Sequence, residues 1–473
     1  MSTMRLWVGV ENFAKIESAK ICINNYTVLV GENNSGKTFL MQLASGVGEK
    51  LGYIIDDKIR DIIITDNMKD TGCYIISEDN ISKIVEYFNE KLNEMKERLV
   101  YEIFRKQIPV EKLYVDITFE ETEAYEVYDC NQTEIWKERL YTLLPKTNHD
   151  GIIHFLERNS VSKAVALQTN KKTGQSQIVS ALRSTVEEKI LPLVLEGIFH
   201  KETLFLPASR TGLILLYRDF FANRADQTIA LNSMDQIEGK RSIQAEFTLP
   251  VYNFLRFLQT YKEEDAAKRQ FGKEIRFFEE KLISGHINVT EQGTFSYRSS
   301  ENATDIPMYL ASSMINEIAP LVLALTRMRP TQRLVIDEVE SSLHPEKQSE
   351  LVRFLNRLNN KGIQMIISTH SDTIASKINN LYLLSKYAKS HGQEETQEML
   401  KKFELEKEDL IEPDNLFIYE MLNQPNGKSV VREVKRDREN GFQFDQFTKS
   451  AMKIYDEATR IGVLMHDGSQ TEV

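Results

Sequence analysis

The chain is poor in cysteine, with three in 473 residues. Cys22, Cys73 and Cys130 are odd in number, widely spaced and free of CxxC pairing. That argues against a disulfide framework or a zinc site and for a reducing compartment. Long apolar runs are missing too. LPLVLEGIF at 191–199 and IAPLVLALTRM at 318–328 fall well short of the roughly 20 residues a helix needs to cross a bilayer, and both read as buried helix segments. The opening MSTMRLWVGVENFAK holds no long apolar stretch of the kind a secretory leader uses. A cytoplasmic protein without membrane contact is expected. An excess of positive charge is also lacking: the net charge is −11, unlike a protein held to nucleic acid by a general basic surface. DNA contact would need a local cluster such as KSVVREVKRDR at 428–438, which reads more simply as the solvated face of a hairpin.

What remains is an ordinary globular balance, 41% hydrophobic and 27% charged, at a length sufficient for two or three domain-sized units. Residues 1–50 read as a strand pair followed by strand, loop and helix. Residues 51–200 are mixed and more polar, a helical insertion in which Ile81, Val85, Phe88, Leu92, Met95 and Leu99 alternate at spacings of four and three. That spacing predicts an amphipathic helix packed on a globular body. Residues 201–248 return to the core through a strand that ends in a Pro-Ala-Ser-Arg turn. Residues 249–297 hold a segment helical throughout to 284, then a hairpin over 286–297. In 298–400 a helix (312–328), a strand (333–337), a helix (345–359) and a strand (364–369) follow in turn. Residues 401–473 close the chain with a hairpin around QPNG and an amphipathic helix near 444–458. Strands alternating with helices imply an α/β fold whose largely parallel sheet is covered on both faces.

The stretch TVLVGENNSGKTFL at 27–40 fits G-x-x-x-x-G-K-[ST] at every fixed position. Gly31, Asn33, Asn34, Ser35 and Gly36 form a loop whose backbone can wrap with N–H groups turned inward onto phosphate oxygens. The helix that follows adds its N-terminal partial charge. Lys37 would reach the β- and γ-phosphates, and the Thr38 hydroxyl would ligand Mg²⁺. Far downstream, RLVIDEVESSLHPEKQ buries a strand whose C-terminal end presents Asp337 and Glu338. In a parallel sheet that end lies beside the loop. There Asp337 would hold Mg²⁺ through water, and Glu338 would orient and deprotonate an attacking water. One strand later QMIISTHSD ends in His370, placed to hydrogen-bond a γ-phosphate.

GENNSGKT, LVIDEVESSLHPEKQ and IISTHSD together resemble the ABC-class ATPases, in the branch holding SMC-like, RecF-like and OLD-family proteins. FLPASRTGL, FFEEKLISGHINV and STHSDTIASKINNL are similar to the OLD-like ATPases of bacterial anti-phage defence systems such as Septu and PARIS. The resemblance covers the first fifty residues and most of about 200–380. It implies an ABC-type P-loop ATPase head with a mostly parallel central sheet, an antiparallel N-terminal β part and an inserted helical lobe or short arm. It also implies ATP and Mg²⁺ as cofactors and a homodimer or higher homo-oligomer whose heads sandwich ATP, with a signature segment completing the site of the other copy. The matching segment is LASSMINEIAPL at 310–321, where Ser312 and Ser313 would meet the partner copy's γ-phosphate and Met314 stands where a glycine is usual. Capping alone would account for the same serines. Ser341, Leu343 and His344 match the loop that communicates across the dimer, and Arg210 is a weaker nucleotide-site candidate. No glutamine is assigned to the γ-phosphate-sensing loop.

A Toprim nuclease is not expected, since nothing after His370 fits its acidic pattern. Pro413-Asp414 followed by Glu433-Val434-Lys435 gives a short PD-(D/E)xK match, which reads more simply as part of the closing hairpin. The function expected is an ATP-driven dimerising switch in defence that controls a separate effector, a nuclease or toxin. The alternatives are a RecF- or SMC-like repair ATPase that clamps DNA, and a self-contained nuclease using Glu433 and Lys435.

Overall fold

The computed structural model describes residues 4–51, 73–76, 78–119, 125–129, 153–158, 162–167, 203–233, 247–290, 293–302, 304–327, 333–437, 439–444 and 455–461. The strands in chain order are β1 (Met4–Phe13), β2 (Ile16–Cys22), β3 (Tyr26–Gly31), β4 (Cys73–Ile76), β5 (Lys112–Phe119), β6 (Tyr125–Asp129), β7 (Ile153–Arg158), β8 (Ser162–Leu167), β9 (Thr203–Leu206), β10 (Gly285–Val289), β11 (Phe295–Ser299), β12 (Asp305–Pro307), β13 (Arg333–Ile336), β14 (Gln364–Thr369), β15 (Leu416–Asn423) and β16 (Ser429–Glu433). The principal helices are α1 (Lys37–Lys50), α2 (Glu78–Phe104), α3 (Arg210–Ser233), α4 (Ser313–Leu325), α5 (Pro345–Asn360) and α6 (Asp372–Ser390). The chain divides into two compact units. The larger comprises Ala14–Ala19, Asn25–Gln42 and Leu204–Val473, and the smaller Met1–Phe13, Lys20–Asn24 and Leu43–Thr203.

The sheet of the larger unit runs β16-β15-β3-β14-β13-β9. β15, β3, β14 and β13 are mutually parallel, and β16 returns antiparallel to β15. Every residue of β3, β13 and β14 is buried, which is why VLV, LVI and MII read as unbroken apolar runs rather than alternating ones. Each fully buried aliphatic side chain there contributes about 1.5–3 kcal/mol, so the strand ends that carry the motifs are held in a stiff frame. α4, α5 and α6 add apolar faces to one continuous core that includes Phe254, Phe278, Phe354 and Leu381. α4 begins one residue after its Ser312 cap and ends at Leu325, slightly inside the expected 312–328.

The segment 249–284 is not one helix. It breaks into Leu249–Gln259, Asp265–Gln270 and Gly272–Phe277, then widens into a π-helical turn at Phe278–Ile283. Phe254, Leu258, Phe271 and Phe278 are all buried in one core. A straight helix would set Phe254 and Phe278 about 36 Å apart along its axis, and the breaks fold the segment back so that they share that core. The Glu264 amide, donating to the Thr326 carbonyl at 2.9 Å, ties the first break to the end of α4. The hairpin that follows is β10 with β11, extended by β12. The tail hairpin forms as β15 and β16. Of the closing helix expected near 444–458, residues 445–454 lie outside the described residues, and 455–461 is helical.

In the smaller unit β1 pairs antiparallel with β5 over Met4↔Phe119 to Glu11↔Lys112, the antiparallel N-terminal part expected. A second sheet runs β4-β6-β8-β7. Among its described residues the expected helical insertion of 51–200 holds one long helix, α2, and five strands. α2 buries Phe88, Leu92 and Leu99 from the predicted stripe, together with Ile84 and Tyr87. Its Asn89 both donates to the Val115 carbonyl (3.0 Å) and accepts from the Val115 amide (2.7 Å), and Asn93 bonds Leu113 in the same two-way manner. These two side chains pair with β5 as a neighbouring strand would.

Candidate functional site

Register brings the motifs together. Thr369 of β14 lies opposite Val30 of β3, and Ile336 of β13 opposite Ile367 of β14. All three strands therefore end at one edge, with Gly31, His370 and Asp337 the next residues along. The Thr38 hydroxyl donates to Asp337 Oδ2 at 2.6 Å, a contact between positions 299 apart in sequence.

The loop conformation explains its glycines. Gly31 (φ +143°) and Gly36 (φ +100°) occupy backbone regions closed to L side chains, and a Cβ on Gly31 would stand 2.6 Å from the Met421 carbonyl oxygen of β15. Asn34 is also left-handed at φ 56°, and its carbonyl accepts from Lys15 Nζ at 2.6 Å. Lys37 is buried, and its ammonium donates to the Gly31 (3.0 Å) and Glu32 (2.8 Å) carbonyls and to Ser35 Oγ (3.3 Å). Burial pushes its pKa down to about 8, against the opposing pull of Asp337, Glu338, Glu340 and Glu32. Gly31→Ala is expected to strain the loop and drive β15 away, lowering stability by about 1–3 kcal/mol with loss of nucleotide binding. Thermal melting with and without ATP measures both.

The acidic turn is held from two sides. Ser368 Oγ donates to Asp337 Oδ1 at 2.6 Å and accepts from the Glu338 amide at 2.8 Å. The Val339 amide donates to the Ser368 carbonyl at 3.0 Å, and Glu340 Oε1 accepts from the His370 amide at 2.5 Å. These bonds hold Glu338 at φ 47°, a left-handed backbone that costs a non-glycine residue about 1–3 kcal/mol. The Glu338 side chain remains half-exposed, with Oε1 4.0 Å from His370 Nε2. Burial, with Lys37 second, lowers the His370 pKa below the ordinary 6.5, so the imidazole is neutral at physiological pH and can donate or accept a hydrogen bond. A wrapped glycine loop with a buried lysine, set beside an acidic strand end, is the geometry of a nucleotide-binding P-loop.

Residues 151–376 match the family model described as "AAA domain, putative AbiEii toxin, Type IV TA system". The match takes in Asp337, Glu338 and His370 and leaves the loop at 31–38 outside. No curated protein matches the chain. Among solved structures, an SMC head domain from Thermotoga maritima aligns at 12% identity over 92% of this chain and 100% of its own, with a TM-score of 0.33. An SmcHead bound to the C-winged helix domain of ScpA aligns at 12% over 91% and 97%, TM-score 0.36. An Smc head with an extended coiled coil, bound to the C-terminal domain of ScpA derived from Pyrococcus furiosus, aligns at 11% over 96% and 100%, TM-score 0.32. The α/β reading rests on the chain's own sheet order and loop.

Thr38 and Asp337 offer a hydroxyl and a carboxylate, the hard oxygen donors that Mg²⁺ takes together with phosphate oxygens. Among the described residues no group of three or more His, Cys, Asp or Glu is arranged for a metal by itself. Ser312 and Ser313 stand at the start of α4. Ser312 Oγ caps α4 by accepting from the Ile315 amide at 3.3 Å, and Asn316 Nδ2 braces the preceding turn through the Met308, Ala311 and Ser312 carbonyls. The Ser341 amide donates to the Glu338 carbonyl, Leu343 is buried, and His344 precedes α5. Glu433 ends β16 and lies 3.5 Å from Arg436, while Asp414 meets Lys389 at 3.1 Å. The two acids of the nuclease-like pattern are engaged by separate cations.

Ser368, Glu340 and Lys15 were not marked from sequence. The only signal was their place: Ser368 two residues before His370, and Glu340 two after Glu338. Arg210, a weak nucleotide candidate, has a different position. It is 1% exposed and donates to the Asp337 carbonyl beneath the site.

Proposed function

We propose that this chain is a Mg²⁺-dependent ATPase whose ATP-bound form pairs with a second copy of itself and whose nucleotide state controls a separate effector, a nuclease or toxin, in anti-phage defence. The observation that carries the reading is the 2.6 Å contact of Thr38 with Asp337, with Glu338 and His370 on the same edge. In this reading the wrapped loop and Lys37 bind and orient the triphosphate. Mg²⁺, when bound, supplies charge neutralisation at the β- and γ-phosphates. Glu338 accepts a proton from the attacking water, and neutral His370 hydrogen-bonds the γ-phosphate. Ser312 and Ser313, at the start of a helix, complete the site of the partner copy. No small-molecule acceptor is assigned to the edge, so the product is read as a conformational state rather than a phosphorylated compound. The defence role is supported by the toxin description of the matching family and by the resemblance of FLPASRTGL and STHSDTIASKINNL to OLD-like ATPases.

Purified chain is expected to release phosphate from ATP only with Mg²⁺ and to shift to a dimer by size exclusion with ATP but not with ADP. Absence of both would overturn the reading. Turnover that rises steeply with duplex DNA would favour the DNA-clamping alternative instead.

A further inference from the structure

Arg210 is the first residue of α3, a position usually solvated, yet it is among the most buried large side chains of the molecule. Its Nε donates to the Glu317 carbonyl (2.8 Å) and lies 3.1 Å from Glu317 Oε2. Nη1 donates to the Pro207 (3.2 Å) and Asp337 (2.8 Å) carbonyls, and Nη2 to the Glu338 carbonyl (3.1 Å). Glu317 completes the arrangement by accepting from the Thr211 amide through Oε1 at 3.1 Å. One guanidinium thus grips the backbone of both acidic residues on one side and α4 on the other. Glu317 sits one turn into α4, the helix capped by Ser312 and begun by Ser313.

We propose that the Arg210–Glu317 pair is a buried coupler that makes the start of α4 follow the backbone of Asp337 and Glu338. The coupling rests on the ATPase reading above, and it supplies the route by which hydrolysis in one copy alters the surface offered to its partner. The physical reason is desolvation. A buried guanidinium that loses one carbonyl acceptor has no water to replace it, and such an orphan is costly. When the left-handed backbone at Glu338 shifts, the fork moves with its carbonyls and draws Glu317 along. Thr211 Oγ1, 3.5 Å from the Ser313 carbonyl, adds a second link to the same helix start. A lysine could not do this, since one ammonium on a flexible stem lacks the planar fork that spans four carbonyls. Arg210 and Glu317 touch neither the reacting water nor the phosphates, so both are positioning residues.

The test uses the full chain with Arg210→Lys and Glu317→Gln, each alone and in the Glu338→Gln background, and Lys37→Ala as the nucleotide-binding control. Both single variants are expected to bind Mg-ATP within about threefold of wild type, with KM little changed. kcat should fall about 100-fold in Arg210→Lys. ATP-dependent self-association of Glu338→Gln should weaken about tenfold on adding Glu317→Gln, a typical coupling magnitude. Glu317→Gln keeps an oxygen acceptor for the Thr211 amide while removing the charge and the carboxylate oxygen beside Arg210 Nε, so it decides the matter if Arg210→Lys does not fold. Wild-type turnover and wild-type self-association in folded variants would overturn the coupler while leaving the ATPase reading intact. Wild-type nucleotide binding in Lys37→Ala would overturn that reading and the coupler with it.

Discussion

Glu338→Gln is expected to leave ATP bound while slowing its hydrolysis by about 10²–10⁴-fold, the contribution of a positioned general base. The substitution keeps side-chain volume and leaves the backbone restraints in place: the amide on Ser368 Oγ, and the carbonyl accepting from Arg210 Nη2. What is lost is the carboxylate beside His370. Because the loop, Lys37 and Thr38 are untouched, the ATP-bound form should accumulate, and with it the self-associated species. Single-turnover phosphate release gives the first effect, and size exclusion with ATP the second. Turnover equal to wild type would remove Glu338 from the role of base. A drop in turnover together with lost ATP binding would show that the left-handed turn at φ 47° had collapsed instead.

Lys37→Ala should abolish nucleotide binding at working concentrations. Removing charge-assisted hydrogen bonds worth about 1.5–3 kcal/mol each corresponds to at least about tenfold to 100-fold in affinity per bond. The same residue makes binding pH-dependent in the wild type. Its folded pKa is about 8, below the ordinary lysine value of 10.5. The charged form that phosphates prefer is therefore complete below about 8 and is lost as pH rises through it. ATP affinity should be flat below that point and fall above it, with proton uptake on binding near pH 8. Calorimetry in buffers of different ionisation heat reads that uptake. For stability the sign is opposite. The unfolded chain binds more protons than the folded one between about 8 and 10.5, so stability rises with pH across that window. The Lys37→Ala variant should lose both slopes. A slope in affinity that survives the substitution would assign the titration to another group.

Local features were readable because their causes are local. The glycines at 31 and 36 are demanded by positive φ within six residues of chain, and the apolar runs of β3, β13 and β14 follow from burial on both faces. The stripe of α2 was legible for the same reason, through a period set by the helix itself. The stretch 249–284 was misread as continuous because helix propensity is high throughout. What breaks it is the need to bring Phe254 and Phe278, which a straight helix would hold about 36 Å apart, into one core, and that need is not written in any window of the sequence.

Residue types and spacing alone laid out the parts of the edge: a glycine loop with Lys37 and Thr38, a strand delivering Asp337 and Glu338, and a strand ending in His370. Each is a run of adjacent residues whose types and spacing have direct physical requirements. Only the tertiary structure decided how those parts hold one another. The strand order β3-β14-β13 inserts Ser368 between the loop and the acids, and β9 delivers Arg210 beneath them. It also ties Glu317 of α4 to the same fork. These contacts join residues about thirty to three hundred positions apart. They depend on which strands become neighbours and in what register, a choice made by burying the whole core at once.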